Sequence, residues 1–207
     1  MRRIEKLCAM GLCALWLLLG LGAAVQAAGD PPDALVKRSV EDVLEAVKQT
    51  RDRAALRKVA EQKVLPYFDF QEMTRLAVGA AWRKATPEQQ KALEAGFRAL
   101  LVNTYTNALA QAGPNANRTV EVKPAAAAKD ASDVLVRTQI KEAGKQPLAV
   151  DYRMQSRDGQ WKVYDVTVEG VSLVTNYRTT FAEEVSRGGI DGLVKSLEER
   201  NRTLAKS

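Results

Sequence analysis

Two carboxylates, Asp151 and Asp165, are set in strongly β-type segments, residues 148–156 and 161–169. On neighbouring strands they could approach each other, and paired carboxylates can serve acid–base or glycosidic chemistry. The competing reading is structural: a solvated sheet face or, for Asp165, an ion pair with Arg137, Arg153 or Arg178. Composition removes most other chemistry. The chain has no histidine, and its two cysteines, Cys8 and Cys13, lie in an apolar leader. Ser-His-Asp and Cys-His catalysis are thereby excluded, with every zinc site built on imidazole or thiolate. No cofactor is expected. Gly170 and Gly188-Gly189 lack phosphate-loop spacing and read as a bend and a helix terminus.

The leader itself has three parts. Arg2, Arg3 and Lys6 open it, residues 12–25 are almost wholly apolar, and Val25-Gln26-Ala27 offers small residues to a signal peptidase. This is the layout of an export signal cleaved after Ala27. Its apolar run falls short of the ~20 residues that a bilayer span needs. Loss of residues 1–27 removes Arg2, Arg3, Lys6 and Glu5, so net charge falls from +6 to +4. Mild positive charge suits anionic membrane surfaces. No dense Arg/Lys block interleaved with aromatics points to nucleic acid. Residues 28–207 are long enough for a single domain with its own core.

The elements that must position these residues follow from periodicity. Val36, Val40, Val43, Leu44 and Val47 mark a first helix, and residues 54–64 a second that ends at Pro66. Asp69 with Glu72 three residues on predicts a capping box for a short helix stopping at Gly79. Thr86-Pro87-Glu88-Gln89 opens the longest helix, with Leu93, Phe97, Leu100, Leu101, Thr104, Ala108 and Leu109 as its stripe. From Thr119 the period becomes two, giving four strands at 119–123, 133–140, 148–156 and 161–169. Asp158-Gly159 is a hairpin signal, and the short turns imply an antiparallel meander. In the last strand Trp161, Val163, Asp165 and Thr167 alternate with Lys162, Tyr164, Val166 and Val168. Leu173, Val174, Tyr177, Phe181 and Val185 then step at helical spacing, and Gly188-Gly189 divides the tail into two helices. The expectation is an α+β domain of four strands and about six helices.

The residues that join this sheet to the tail also carry a resemblance. Val163-Tyr164-Asp165-Val166, Glu169-Gly170-Val171-Ser172-Leu173 and Asn176-Tyr177-Arg178 with Phe181 form its specific part. Phe68-Asp69-Phe70 and Trp82-Arg83 support it. In these stretches the chain resembles the MlaC family, the periplasmic phospholipid carriers of Gram-negative bacteria, also called toluene-tolerance proteins. The likeness runs from about Pro31 to Leu204. It implies a curved four-stranded sheet wrapped by helices, akin to the nuclear-transport-factor-2-like cone, around an apolar pocket. It further implies a glycerophospholipid cargo and no reaction. Implied partners are an outer-membrane lipoprotein–porin complex and an inner-membrane ABC transporter with its lipid-binding ring, in a pathway that maintains outer-membrane lipid asymmetry. On this reading Leu100, Leu101, Val136, Val150, Tyr152, Val166, Val171, Val174 and Tyr177 line the pocket, with Arg83 or Arg178 near the phosphate. Two alternatives stand beside it: an enzyme using Asp151 and Asp165, and a periplasmic adaptor whose interior is filled.

Overall fold

Pro32 stands in the first turn of α1 (Pro32–Gln49), where its missing N–H costs nothing. The computed structural model describes residues 30–112, 118–125 and 131–206. The leader with its cleavage point, Gly113-Pro114 and most of the loop after Pro124 lie outside them. Asp52 caps α2 (Arg53–Lys63), accepting from the Ala55 amide at 2.7 Å. Past a single 3-10 turn over Leu65–Tyr67, Asp69 caps α3 (Phe70–Val78), accepting from the Glu72 amide at 2.9 Å. The reciprocal half of that expected box is absent. The Asp69 amide donates to the Val163 carbonyl at 2.8 Å, and the Glu72 carboxylate takes Arg75 instead. The start of α3 is thereby tied to the sheet. A second 3-10 stretch, Gly79–Lys84, leads to α4 (Pro87–Ala112). There the box closes both ways, Thr86 N–H to Gln89 Oε1 at 3.0 Å and Gln89 N–H to Thr86 Oγ at 3.2 Å.

The sheet is an antiparallel meander in the order β1 (Thr119–Lys123), β2 (Asp133–Lys141), β3 (Leu148–Arg157), β4 (Gln160–Val168), β5 (Val171–Ser172). Among the described residues it has five strands, where the sequence suggests four. Glu169 and Gly170 both take positive φ, 48° and 81°, so they form a two-residue hairpin turn rather than a simple bend. Val171 returns opposite Val168 and Ser172 opposite Thr167. A strand of two residues that runs straight into a helix leaves no alternation to read. In the tail, α5 (Leu173–Lys206) runs as two helical segments broken at Gly189 (φ 66°, ψ −169°), where Gly188-Gly189 suggests the division.

Strand β4 carries a second correction. Met154 pairs with Val163 but Arg153 pairs with Asp165, which leaves Tyr164 as an extra, bulged residue. The bulge rotates the strand by one side chain. Val163 and Val166 therefore face the same way, whereas strict alternation assigns them to opposite faces.

Apolar residues gather in two clusters that share Phe68. One packs α3, α4 and α5 around Met73, Leu93, Phe97, Phe181, Leu193 and Leu197, all essentially inaccessible. Phe97, Tyr177 and Phe181 stack within it at centroid distances of 4.9 to 5.5 Å. The other places α1 over the inward face of the sheet, on Val134, Val136, Val150, Met154, Val163 and Val166. The first cluster lets α4 and α5 approach closely at Gly96, where an added Cβ would meet Leu197 Cβ at 3.1 Å. Asn201 adds a hydrogen bond to the Gly96 carbonyl at 2.9 Å. Gly96→Val is expected to cost ~1–3 kcal/mol of unfolding free energy by overpacking, read from urea midpoints. An unchanged midpoint would show that the two helices separate freely.

Candidate functional site

The second cluster is not closed. Between α1, α2, α4 and the inward sheet face lies a cavity of about 380 Å³ with an almost wholly apolar lining. Among the described residues, no Asp, Glu, Lys or Arg side chain contributes to that lining. Its length follows from β3. Leu148 stands at one end, and Val163, opposite Met154, at the other. Six residues at ~3.3 Å each span about 20 Å. One leaflet of a bilayer's hydrocarbon is about 15 Å deep. Leu148 and Tyr105, 41% and 39% exposed, mark the open rim. Phe68, Phe70 and Met73 lie at the Val163 end.

Five hydroxyls interrupt this surface, those of Ser39, Tyr67, Tyr105, Thr106 and Tyr152, and among the described residues only Tyr67 has a distant partner, accepting from Arg38 Nη2 at 3.1 Å. Ser39 Oγ is buried with no hydrogen-bond partner among the described residues. Tyr152 has none for its hydroxyl either, and desolvation pushes its pKa well above the usual phenol range. Tyr152 still keeps some accessible area, because that area faces the cavity it lines. Thr106 turns its hydroxyl back onto the Val102 carbonyl at 2.6 Å and so presents its methyl. At the rim, burial pushes Tyr105 up to about 12, and the nearby Tyr177 adds to the shift.

Four of the expected lining residues, Leu101, Val150, Tyr152 and Val166, do border the cavity. Five do not. Leu100, Val174 and Tyr177 belong to the solid α3–α4–α5 cluster, Val136 is fully buried within the second cluster on the inward sheet face, and Val171 is 59% exposed on the hairpin turn. Periodicity gives α4 a single apolar stripe, but the helix is apolar on two sides, one packed in the solid cluster and one facing the cavity. Lining residues that the sequence reading left out come mainly from α1, among them Val36, Ser39, Val40 and Leu44, and from β4 at Val163 and Val168. The α1 stripe was visible in the periodicity; that it faces a void was not. Neither Arg83 nor Arg178 borders the cavity: Arg83 is exposed, and Arg178 Nε donates to the Leu76 carbonyl at 2.9 Å.

The two aspartates lie on the opposite face of the sheet from Val150, Tyr152 and Val166. Asp165 is buried, and both its oxygens are engaged, Oδ2 by the Ser172 hydroxyl at 2.6 Å and Oδ1 by the Val174 amide at 3.1 Å. Ser172 Oγ in turn accepts from the Thr175 amide at 3.0 Å. Asp165 and Ser172 together cap the start of α5. Among the described residues no ion pair links Asp165 to Arg137, Arg153 or Arg178, contrary to the expected pairing. Nor does any group of three or more His, Cys, Asp or Glu side chains there form a metal-sized cluster.

Comparison with known proteins bears on what such a cavity is for. The family model for MlaC protein matches residues 37–199. The chain belongs to the MlaC family. Among its relatives is toluene tolerance protein ttg2D of Pseudomonas putida, 31% identical over 125 residues. That match covers 60% of this chain and 56% of the relative, so the chain spans little more than half of that relative's length. The intermembrane phospholipid transport system binding protein MlaC of Haemophilus influenzae is 23% identical over 73% of this chain and 71% of its own. A solved structure, the phospholipid-binding protein from Ralstonia solanacearum in complex with a phospholipid, is 41% identical. It superposes with a TM-score of 0.77 over 85% of this chain and 99% of its own. No helix among the described residues of this MlaC-family chain is long and apolar enough to cross a membrane.

Asp165→Ala removes two acceptors from a buried helix start and is expected to cost about 2 kcal/mol of stability, measured by urea unfolding. An Asp165→Ala protein as stable as wild type would mean that the α5 cap carries no load.

Proposed function

We propose that this chain is a periplasmic phospholipid carrier, with acyl tails in the cavity and the head group outside it. The observation that carries the reading is the unfilled apolar cavity, in a fold shared with a 41%-identical protein solved with phospholipid. Leu101, Val150, Tyr152 and Val166 contact the tails, together with Val36, Val40 and Val163. Burying a methylene is worth about 0.8 kcal/mol, so two tails of ~15 methylenes face an aqueous penalty of roughly 24 kcal/mol. A lipid crosses a water layer at a useful rate only while its tails stay covered. Hydrocarbon gains little by leaving one apolar environment for another, so partners set the direction of transfer.

Those partners are, on this proposal, an outer-membrane lipoprotein–porin complex and an inner-membrane ABC transporter with its lipid-binding ring. The service rendered is outer-membrane lipid asymmetry. Export by the leader, cleavage after Ala27 and a mature domain of residues 28–207 with an NTF2-like curvature complete the proposal. The protein carries out no reaction and needs no cofactor; the enzyme alternative is weakened because its two aspartates face away from the cavity. A filled interior, as the adaptor alternative requires, is likewise at odds with the cavity.

Organic extraction of the purified protein followed by mass spectrometry is expected to release phospholipid. Val150→Trp, which fills the cavity without adding charge, should fold and release none. Val171→Glu, on the exposed turn, should release as much as wild type. Wild-type preparations that repeatedly lack lipid, or a Val150→Trp protein that still carries it, would sink the proposal.

A further inference from the structure

A second cleft, of about 460 Å³, lies back to back with the apolar cavity, because Phe68 and Phe70 line both. Their rings stack at 5.7 Å and 21° and form the partition. On the far side the wall is polar: Asp69, Gln71, Glu94, Arg98, Arg157 and Lys162. Three cations there meet two carboxylates, and the charges are unevenly matched. Asp69 is held by Arg157 at 2.7 Å, by Gln155 at 3.0 Å and by the Glu72 amide. Arg98 lies over the Phe70 ring, 5.6 Å from its centroid, and forms no ion pair among the described residues. Lys162 Nζ donates to the Pro66 carbonyl at 2.7 Å, and an ammonium has two further N–H groups to offer. Glu94 also forms no ion pair among the described residues, and it stands one helical turn from Arg98 on α4.

The open rim of the apolar cavity is different. Beside Leu148 and Ile140, Arg118 and Lys145 both pair with Glu142, and Lys141 pairs with Glu121. Lys145 and Arg118 hold the Glu142 carboxyl down to about 2. Each of those rim cations is held in an ion pair, whereas Arg98 and Lys162 at the Phe68–Phe70 end are in none among the described residues.

We propose that the cleft is a binding site for a phosphate ester, whose oxygens take hydrogen bonds from Arg98 and Lys162 with Arg157 adding to the field. Two sources supply that chemistry: a soluble phosphate ester, or the head group of a lipid whose tails enter the cavity between the Phe68 and Phe70 rings, at the end opposite the Leu148 rim. The lipid source rests on the carrier reading; the soluble one does not. Glu94 opposes the anion and moderates its affinity.

The test titrates the delipidated protein with sn-glycerol 3-phosphate by isothermal calorimetry, with circular dichroism confirming that each variant is folded. Wild type is expected to bind with a dissociation constant on the order of millimolar. Arg98→Ala with Lys162→Ala should weaken binding about tenfold or more, whereas Glu94→Gln should tighten it roughly threefold. Tightening is a response that a purely structural role for these side chains does not produce. If protein loaded with phospholipid no longer binds glycerol phosphate, the head group fills the cleft. If both bind together, the cleft serves a soluble ester. No binding by wild type, or binding indifferent to all three substitutions, overturns the site. Failure to take up either phospholipid or diacylglycerol would instead count against the carrier reading and leave the glycerol phosphate result standing.

Discussion

An apolar interface that does not close is the constraint on which the rest of this structure depends. Residual cavity volume costs about 24 cal/mol per Å³ in packed cores, so 380 Å³ left empty corresponds to roughly 9 kcal/mol. Whole domains are stable by only about 5–15 kcal/mol. Water offers little relief, since an apolar cavity gives it too few hydrogen-bond partners. A void of this size in a protein that folds is therefore a place kept for something else, and on the proposed reading that something is hydrocarbon.

Several features hold the interface open. α4 cannot drop onto the sheet, because its other side is fixed in the solid cluster through Leu93, Phe97 and the close contact at Gly96. The start of α3 is pinned to β4 by the Asp69 amide and the Val163 carbonyl, which sets the far end of the cavity. The bulge at Tyr164 turns Val163 inward to join Val166 and Val168 along one side. Tyr164 itself donates to Asp133 at 2.6 Å across the sheet. Asp165 and Ser172 then seat α5 at the sheet edge, so the carboxylate most suggestive of chemistry serves as a helix cap.

Much of this was legible in the sequence. The change of period at Thr119, the box at Thr86–Gln89, the cap at Asp69 and the break at Gly188-Gly189 report local backbone preferences, and local preferences survive into the fold. The corner from Val163 to Phe181 carried the family. What did not survive are statements that depend on which of two apolar surfaces a residue meets. Leu100 and Leu101 are neighbours in one stripe, yet only Leu101 borders the void. Val174 and Tyr177 share the face of α5 that packs on Phe97, and nothing in their spacing distinguishes a solid neighbour from an absent one. Val163 was assigned to the wrong face because a bulge adds a residue without changing composition. The basic residues Arg83 and Arg178 looked suited to a phosphate because they lie within the recognised motifs; of the cations in no ion pair, Arg98 sits in a stretch without any motif and Lys162 directly precedes one.

The central claim, that the cavity is a dry sleeve for fatty chains, is tested most directly by a chain-length series. Single-chain phospholipids of increasing acyl length would be titrated into delipidated protein under non-micellar conditions. Each methylene that enters the sleeve should contribute about 0.8 kcal/mol, close to fourfold in affinity, until the sleeve is full and the increments stop. Affinities that stay flat across the series would show that the chains remain outside, and would contradict the account.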